Sequence, residues 1–176
     1  SATNAGITNV RLYRPTYPTD GSVVYTTLYI NCASKFHVIR FMDWMFTNTN
    51  PVESWWQLQK PNQAAIQAWT CSGHTGPRNA TVIENFIKLC NQINVDLYIN
   101  IPVNADDDYI AKLAQLILYG SDGINPYTST QASPVYPPLN SNLKIYIEYG
   151  NEIWNTAAGF DCWRWMRSSN AVSVTW

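Results

Sequence analysis

Three short apolar segments, separated by helical or turn-rich segments, constrain the fold of this 176-residue chain more than any other feature. They read FHVIRFMDW at Phe36–Trp44, DLYINIP at Asp96–Pro102 and LKIYIEYGNE at Leu143–Glu152. Helical spacing of apolar residues marks 81–94 and the segment that runs from 106 to 120. Strands that alternate with helices in this way are parallel and joined by crossovers, and their apolar character is typical of strands with a covered face. We therefore predict an α/β fold in which parallel strands alternate with helices.

Length and charge limit the domain organisation and the partners. The length fits a single domain over residues 1–176, and the net charge of -1 with 13% charged residues argues against nucleic acid and anionic membranes as partners. No apolar run approaches the 18 or more residues of a membrane span. Aromatic residues make up 14% of the chain, and their flat faces suit either an aromatic core or contact with sugar rings. The low charge and the many Asn, Thr and Ser residues favour a secreted, extracellular protein.

The cysteines and one sequon also bear on the compartment. The sequon Asn79-Ala80-Thr81 predicts a glycan on Asn79. His37 and His74 are isolated in sequence, so we expect neither to be catalytic, and we expect no metal or cofactor. We expect at least one disulfide, with the pairing left open, among four cysteines that lack the C-x-x-C spacing of zinc and redox motifs: Cys32, Cys71, Cys90 and Cys162.

Polar residues interrupt the apolar segments near their carboxyl ends. Arg40 is costly in an apolar strand unless a carboxylate meets it, and Glu148 is the natural candidate. With Asn100 these two residues would form a buried polar layer, for which we favour structural support over substrate contact. Side chains alternate along a strand, so Glu148 and Glu152 should share one face while the pattern holds.

The ends of the strands are where chemistry is expected in a β/α barrel. Asn151-Glu152, followed by Trp154, ends the third segment, and a carboxylate beside an amide and an indole suits work on a hydroxyl-rich substrate. Trp55 and Trp56 either form sugar platforms or cover the core. The acids at 106–108 are placed to cap a helix and do not point to a metal site.

These segments, in this order, resemble strands two to four of the (β/α)8 TIM-barrel glycoside hydrolases of clan A. The sequences RFMDWMFTNTNP, INIPVNADDDYI and IYIEYGNEIWN also resemble secreted proteins of a glycosidase-like type. The resemblance covers roughly residues 7–165 and implies a partial barrel, the N-terminal half containing about strands one to four. It implies that Glu152 is the general acid/base and that Asn151 binds the sugar 2-hydroxyl. Polysaccharides or oligosaccharides are the implied substrates, with subsites lined by Trp154, Trp44, Trp55 and Asn100.

One departure from the clan leaves two functional hypotheses open. A retaining glycosidase needs a second carboxylate about 5–5.5 Å from the first, and in the clan this nucleophile ends strand seven. A full barrel takes about 250 residues, so this sequence holds about half of one and contains no equivalent residue. The chain is therefore either part of a retaining glycosidase completed by a C-terminal half-barrel, or a non-catalytic extracellular protein that binds carbohydrate or self-assembles into oligomers or filaments. Exposed edges of a parallel sheet favour the second hypothesis.

Overall fold

A computed structural model describes residues 13, 15–20, 23–48, 50–61, 82–160 and 162. Within these residues the helices and strands follow one another in this order: helix α1 (Thr27–Ala33), strand β1 (Val38–Arg40), a 3-10 helix (Trp55–Gln57), helix α2 (Ile83–Ile93), strand β2 (Asp96–Ile101), helix α3 (Asp107–Tyr119) and strand β3 (Ile145–Tyr149). No helix among the described residues is both long and apolar enough to cross a membrane.

The three strands form a small open sheet in the order β1-β2-β3, and both pairs are parallel. Arg40 on β1 lies opposite Tyr98 on β2, which lies opposite Tyr146 on β3. Two residues further along these strands, Asn100 on β2 lies opposite Glu148 on β3. The prediction of an α/β fold with parallel strands alternating with helices is thus confirmed.

The core lies on one face of the sheet. Leu97 and Ile99 alternate along β2 and are fully buried on that face, as the period of two requires. Helices α2 and α3 are amphipathic, and their apolar stripes belong to the same core cluster. The cluster includes Phe86, Ile87, Leu89 and Cys90 of α2 and Tyr109, Leu113 and Leu116 of α3.

Local hydrogen bonds fix where α3 begins. The carboxylate of Asp106 caps the helix by accepting from the backbone N–H of Tyr109 at 2.7 Å, and the hydroxyl of Ser54 donates to its other oxygen. The Ser54 hydroxyl, together with the Tyr109 N–H, holds the pKa of Asp106 below its ordinary value. The predicted capping role of the acids at 106–108 is confirmed, since Asp107 and Asp108 occupy the first turn.

Strand β1 is shorter than the predicted segment Phe36–Trp44. After Arg40 the chain turns, with the N–H of Met45 bonded to the carbonyl of Phe41 at 2.9 Å, and Phe46 adopts a left-handed φ of 54°. This turn buries both Phe41 and Met45 in the core. Trp44 therefore does not continue the strand, and its ring stacks on those of Tyr25 and Tyr29. Period-two alternation alone could not reveal this turn.

Other sequence expectations fall partly outside the described residues. The sequence predicts a helix from Ala157 to Met166, but this prediction is wrong at its start, because residues 157–160 form turns and bends. Cys32, Cys90 and Cys162 are free thiols, so none of these three forms the expected disulfide. Burial raises the pKa of the Cys90 thiol to about 12. The sequences around Cys71, His74 and Asn79 lie outside the described residues.

Candidate functional site

In the polar layer, on the face of the sheet opposite the core, four hydrogen bonds end on one carboxylate oxygen. The Oε2 atom of Glu148 accepts hydrogen bonds from Arg40 Nη2 (2.5 Å) and Nε (3.1 Å). It also accepts from the Tyr98 hydroxyl (3.0 Å) and from Asn100 Nδ2 (2.8 Å). The structure thus brings together Arg40, Asn100 and Glu148, but only Asn100 is buried. The side chains of Arg40 and Glu148 keep 37% and 29% of their area exposed.

The surroundings of Glu148 favour its charged form. Partial burial opposes ionisation, but the hydrogen bonds from Arg40, Tyr98 and Asn100 outweigh it and hold the pKa of Glu148 below its ordinary value. Burial and the hydrogen bond to this carboxylate raise the pKa of the Tyr98 hydroxyl. Glu148 is therefore a fixed negative charge paired with Arg40, and this pairing makes it unsuited to donate a proton near neutral pH.

Gly150 redirects the chain at the end of β3. Its backbone has a φ of 63°, its N–H donates to the carbonyl of Ile101 at 2.8 Å, and its carbonyl accepts from Asn100 Nδ2 at 2.6 Å. A Cβ at this position would lie 2.6 Å from Ile153 Cγ2 and 2.8 Å from Val103 Cγ1. Glycine is therefore required here by both conformation and space.

Asn151, the next residue, enters the polar layer. Only 5% of Asn151 is exposed, and its amide oxygen accepts from Arg40 Nη2 at 2.8 Å. Its amide nitrogen donates to the side-chain oxygen of Asn48 at 2.9 Å. The amide nitrogen carries two hydrogens and Asn48 accepts one of them, so one N–H of Asn151 has no acceptor among the described residues. The arrangement fixes the orientation of this amide from two sides.

Glu152 lies outside the polar layer and is exposed. Its φ is 47°, a left-handed value that is uncommon for a residue with a side chain and that concentrates at functional sites. Its Oε2 accepts from Asn155 Nδ2 at 2.9 Å. The expectation that Glu148 and Glu152 share one face does not hold past the strand, because the chain leaves β geometry at Gly150 and it is Asn151 that joins Glu148.

The tryptophans differ in what they can contact. Trp154 is 76% exposed and lies two residues after Glu152, so its ring is free to contact a ligand. Trp56 is exposed to the same extent. Trp55 is buried, with its ring edge-on to Tyr109, and so covers the core. Trp44 is held in the aromatic stack against α1.

Two participants in the site were missed from the sequence. Tyr98 could have been found, because it is two residues before Asn100 on β2 and so lies on the same face of the strand. Asn48 could not, because nothing in its loop sequence indicates that it meets Asn151 more than a hundred residues later. Among the described residues, no group of three or more His, Cys, Asp or Glu side chains could hold a metal ion.

Comparison with known proteins gives no match: no family model, no curated protein and no solved structure is significantly similar to this chain. The resemblance to clan A glycoside hydrolases therefore rests on the quoted motifs alone and stays a prediction.

Proposed function

We propose that this chain is a secreted, carbohydrate-active protein of the retaining glycoside-hydrolase type, with Glu152 as its general acid/base. The observation that carries the proposal is the turn after β3. There Glu152 takes an uncommon left-handed conformation beside Asn151, whose amide is fixed by Arg40 and Asn48. A pre-oriented amide next to a carboxylate and an exposed indole suits a substrate with many hydroxyl groups.

The sheet supports a partial (β/α)8 TIM barrel as the setting. Its strands are parallel and adjacent in sequence order, and α2 and α3 contribute to one core on one face. In such a barrel the loops at the carboxyl ends of the strands carry the chemistry. Both Phe46, after β1, and Glu152, after β3, have left-handed backbones at this edge.

In the proposed mechanism, Glu152 protonates the leaving glycosidic oxygen and later takes a proton from the attacking water. The remaining N–H of Asn151 binds the sugar 2-hydroxyl, and Trp154 stacks on a neighbouring sugar ring. Glu148 does not act as the nucleophile, because its Oε2 is occupied by four hydrogen bonds and its charge is neutralised by Arg40. The nucleophile would come from a C-terminal half-barrel.

The test is hydrolysis of aryl β-glycosides by the full-length protein and by Glu152→Gln. Because a general acid/base contributes about 10²–10⁴-fold to rate, Glu152→Gln should lose activity by that factor on a poor leaving group and less on dinitrophenyl glycosides. Glu53→Gln is the matched control for the loss of one charge, since Glu53 is an exposed carboxylate that is not part of this turn. Undiminished turnover in Glu152→Gln on the poor leaving group would refute the assignment.

A second candidate function is a non-catalytic extracellular protein that binds carbohydrate or self-assembles. The observation that favours it is the exposure of apolar side chains on β3, which ends the described sheet. Ile147 is 55% exposed, and Tyr146 and Tyr149 are also exposed. An open edge with apolar side chains is a site for strand pairing with another chain.

Light scattering on the 176-residue chain tests this second function. Defined oligomers or fibres that Ile147→Lys disperses, with no turnover of any glycoside, would support it. A monomer that hydrolyses glycosides would exclude it in favour of the first function.

A further inference from the structure

The face of the sheet opposite the core, which we call the open face, presents side chains that the catalytic proposal does not use. It is formed by the residues that alternate with the core-facing residues of the three strands, namely Val38, Arg40, Asp96, Tyr98, Asn100, Tyr146 and Glu148. Arg40, Tyr98 and Tyr146 lie in one row across the strands. Arg40 and Tyr146, the two ends of this row, are exposed, so a ligand can reach the open face from both ends of the row.

The ion pair on this face has hydrogen-bonding capacity to spare. All four hydrogen bonds to Glu148 end on Oε2, and within the described part of the chain no donor reaches Oε1. Arg40 uses Nε and Nη2, and no described acceptor is bonded to its Nη1. Both side chains are about one-third exposed. The pair can therefore offer one acceptor and one donor to a ligand while it stays intact.

The aromatic rings give the same face an apolar contact. The Arg40 guanidinium carbon lies 5.3 Å from the centroid of the Tyr98 ring, so Arg40 covers that ring from one side. The ring centroids of Tyr146 and Tyr98 are 6.0 Å apart, and Tyr146 is 44% exposed. Tyr146 is therefore the ring available for stacking.

We propose that the open face is a binding subsite for an uncharged, hydroxyl-rich ring, and that the Arg40–Glu148 pair makes it discriminate against anionic sugars. A hydroxyl group both donates and accepts, so adjacent hydroxyls match Glu148 Oε1 and Arg40 Nη1, while the apolar face of the ring stacks on Tyr146. A uronate carboxylate at Glu148 Oε1 would meet a like charge and has no proton to donate, so it loses the charge-assisted hydrogen bond that a hydroxyl makes there. The sugar class rests on the proposed function; the discrimination by charge rests on the ion pair.

Charge-swapping variants of the pair test this proposal by titration calorimetry. The probes are pairs with the same sugar backbone whose members differ in charge at C6: cellohexaose with its C6-oxidised hexauronate, and fully methyl-esterified hexagalacturonate with the free acid. Wild type should bind a neutral member at least about tenfold more tightly than its acid, the effect of one charge-assisted hydrogen bond. Glu148→Gln exposes an unpaired Arg40 and should strengthen binding of the matching acid about tenfold. Glu53→Gln makes the same change in net charge at an exposed residue that is not on the open face and should change neither affinity.

Arg40→Gln provides an independent variant in case Glu148→Gln does not fold, as judged by circular dichroism. This variant leaves Glu148 without its cation. It should therefore bind the cationic hexamer of glucosamine about tenfold more tightly than wild type does, and its affinity for the uncharged N-acetylated hexamer should not increase. If wild type binds neutral hexasaccharides but folded Glu148→Gln and Arg40→Gln keep the wild-type charge preference, the inference is overturned and the proposed function stands. If wild type binds no member of any pair, the carbohydrate function itself is overturned, and the inference with it.

Discussion

Replacing Gly150 by alanine is the most informative single test of how the candidate site is built. With a φ of 63°, an alanine here takes a left-handed conformation, which costs about 1–2 kcal/mol. Its Cβ would also lie 2.6 Å from a methyl of Ile153 and 2.8 Å from a methyl of Val103. Both neighbours are β-branched and stiff, so relieving the overlap requires a backbone shift, at about 1–3 kcal/mol. We therefore expect Gly150→Ala to lower the free energy of unfolding by about 2–5 kcal/mol, a large share of the stability of a typical domain.

Urea denaturation followed by tryptophan fluorescence measures this loss, and Gly159→Ala separates its two parts. Gly159 also has a positive φ, of 100°, but no atom lies within 4 Å of where its Cβ would be. Its replacement therefore carries only the conformational cost, and Gly150→Ala should be the more destabilising by about 1–3 kcal/mol. Ile153→Ala in the Gly150→Ala background should recover part of that difference. Equal losses in Gly150→Ala and Gly159→Ala would refute the argument that close packing at Gly150 fixes the turn.

Three further predictions concern the support of the site. Burial raises the pKa of Glu84 above its ordinary value of 4.5 in spite of the hydrogen bond from Ser121. The folded state therefore binds the Glu84 proton more tightly than the unfolded state does. As a result the protein loses stability as pH rises from 4.5 through the raised pKa. Glu84→Gln should therefore gain stability over wild type as pH rises to 7 and lose that gain below pH 4.5, and a constant difference in thermal scans across this range would contradict the assignment. Asn50→Ala leaves the Met45 carbonyl and the Val52 N–H without the side chain that bonds to both in a buried loop. It should lower the free energy of unfolding, measured by urea denaturation, by about 2–4 kcal/mol. A loss below about 1 kcal/mol would be the contrary result. Phe86→Ala removes a fully buried ring stacked on that of Phe41 and should cost about 3–5 kcal/mol by the same measurement, whereas a loss below 1.5 kcal/mol would contradict its central place in the core.

Hydrophobic periodicity predicted the main elements because burial on one face dictates it. The alternation around Leu97 and Ile99 marks a strand covered on that face, and the spacing of apolar residues in α2 and α3 marks the helices that cover it. The partner of Arg40 was also predictable, because a cation within an apolar strand needs a carboxylate and Glu148 lies within another apolar strand. These features follow from local patterns and from single energetic requirements.

The turns of this chain are not predictable from its apolar pattern, because several conformations satisfy the same pattern. Phe41 and Met45 are four residues apart, a spacing that suits one face of a strand and one side of a helical turn alike. The chain adopts the turn, and this moves Trp44 away from the strand end and into an aromatic stack. The contact between Asn48 and Asn151 depends on that turn, so the hydrophobic periodicity could not predict it either.

The roles proposed for Glu148, on β3, and for Glu152, after it, have opposite requirements, and the turn at Gly150 separates the two carboxylates. Glu148 is a good structural anion because it is ionised, paired with Arg40 of β1 and held by two donors of β2, Tyr98 and Asn100. A general acid needs the reverse, a carboxyl group with few donors in a site from which water is removed. A regular strand would have placed Glu152 on the same face as Glu148, within the field of the same anion. The left-handed backbone at Gly150 and Glu152 instead inserts Asn151 into the layer and leaves Glu152 outside it. Because Glu152 is exposed, acid catalysis requires a further wall over this edge of the sheet, and a C-terminal half-barrel would supply both that wall and the nucleophile.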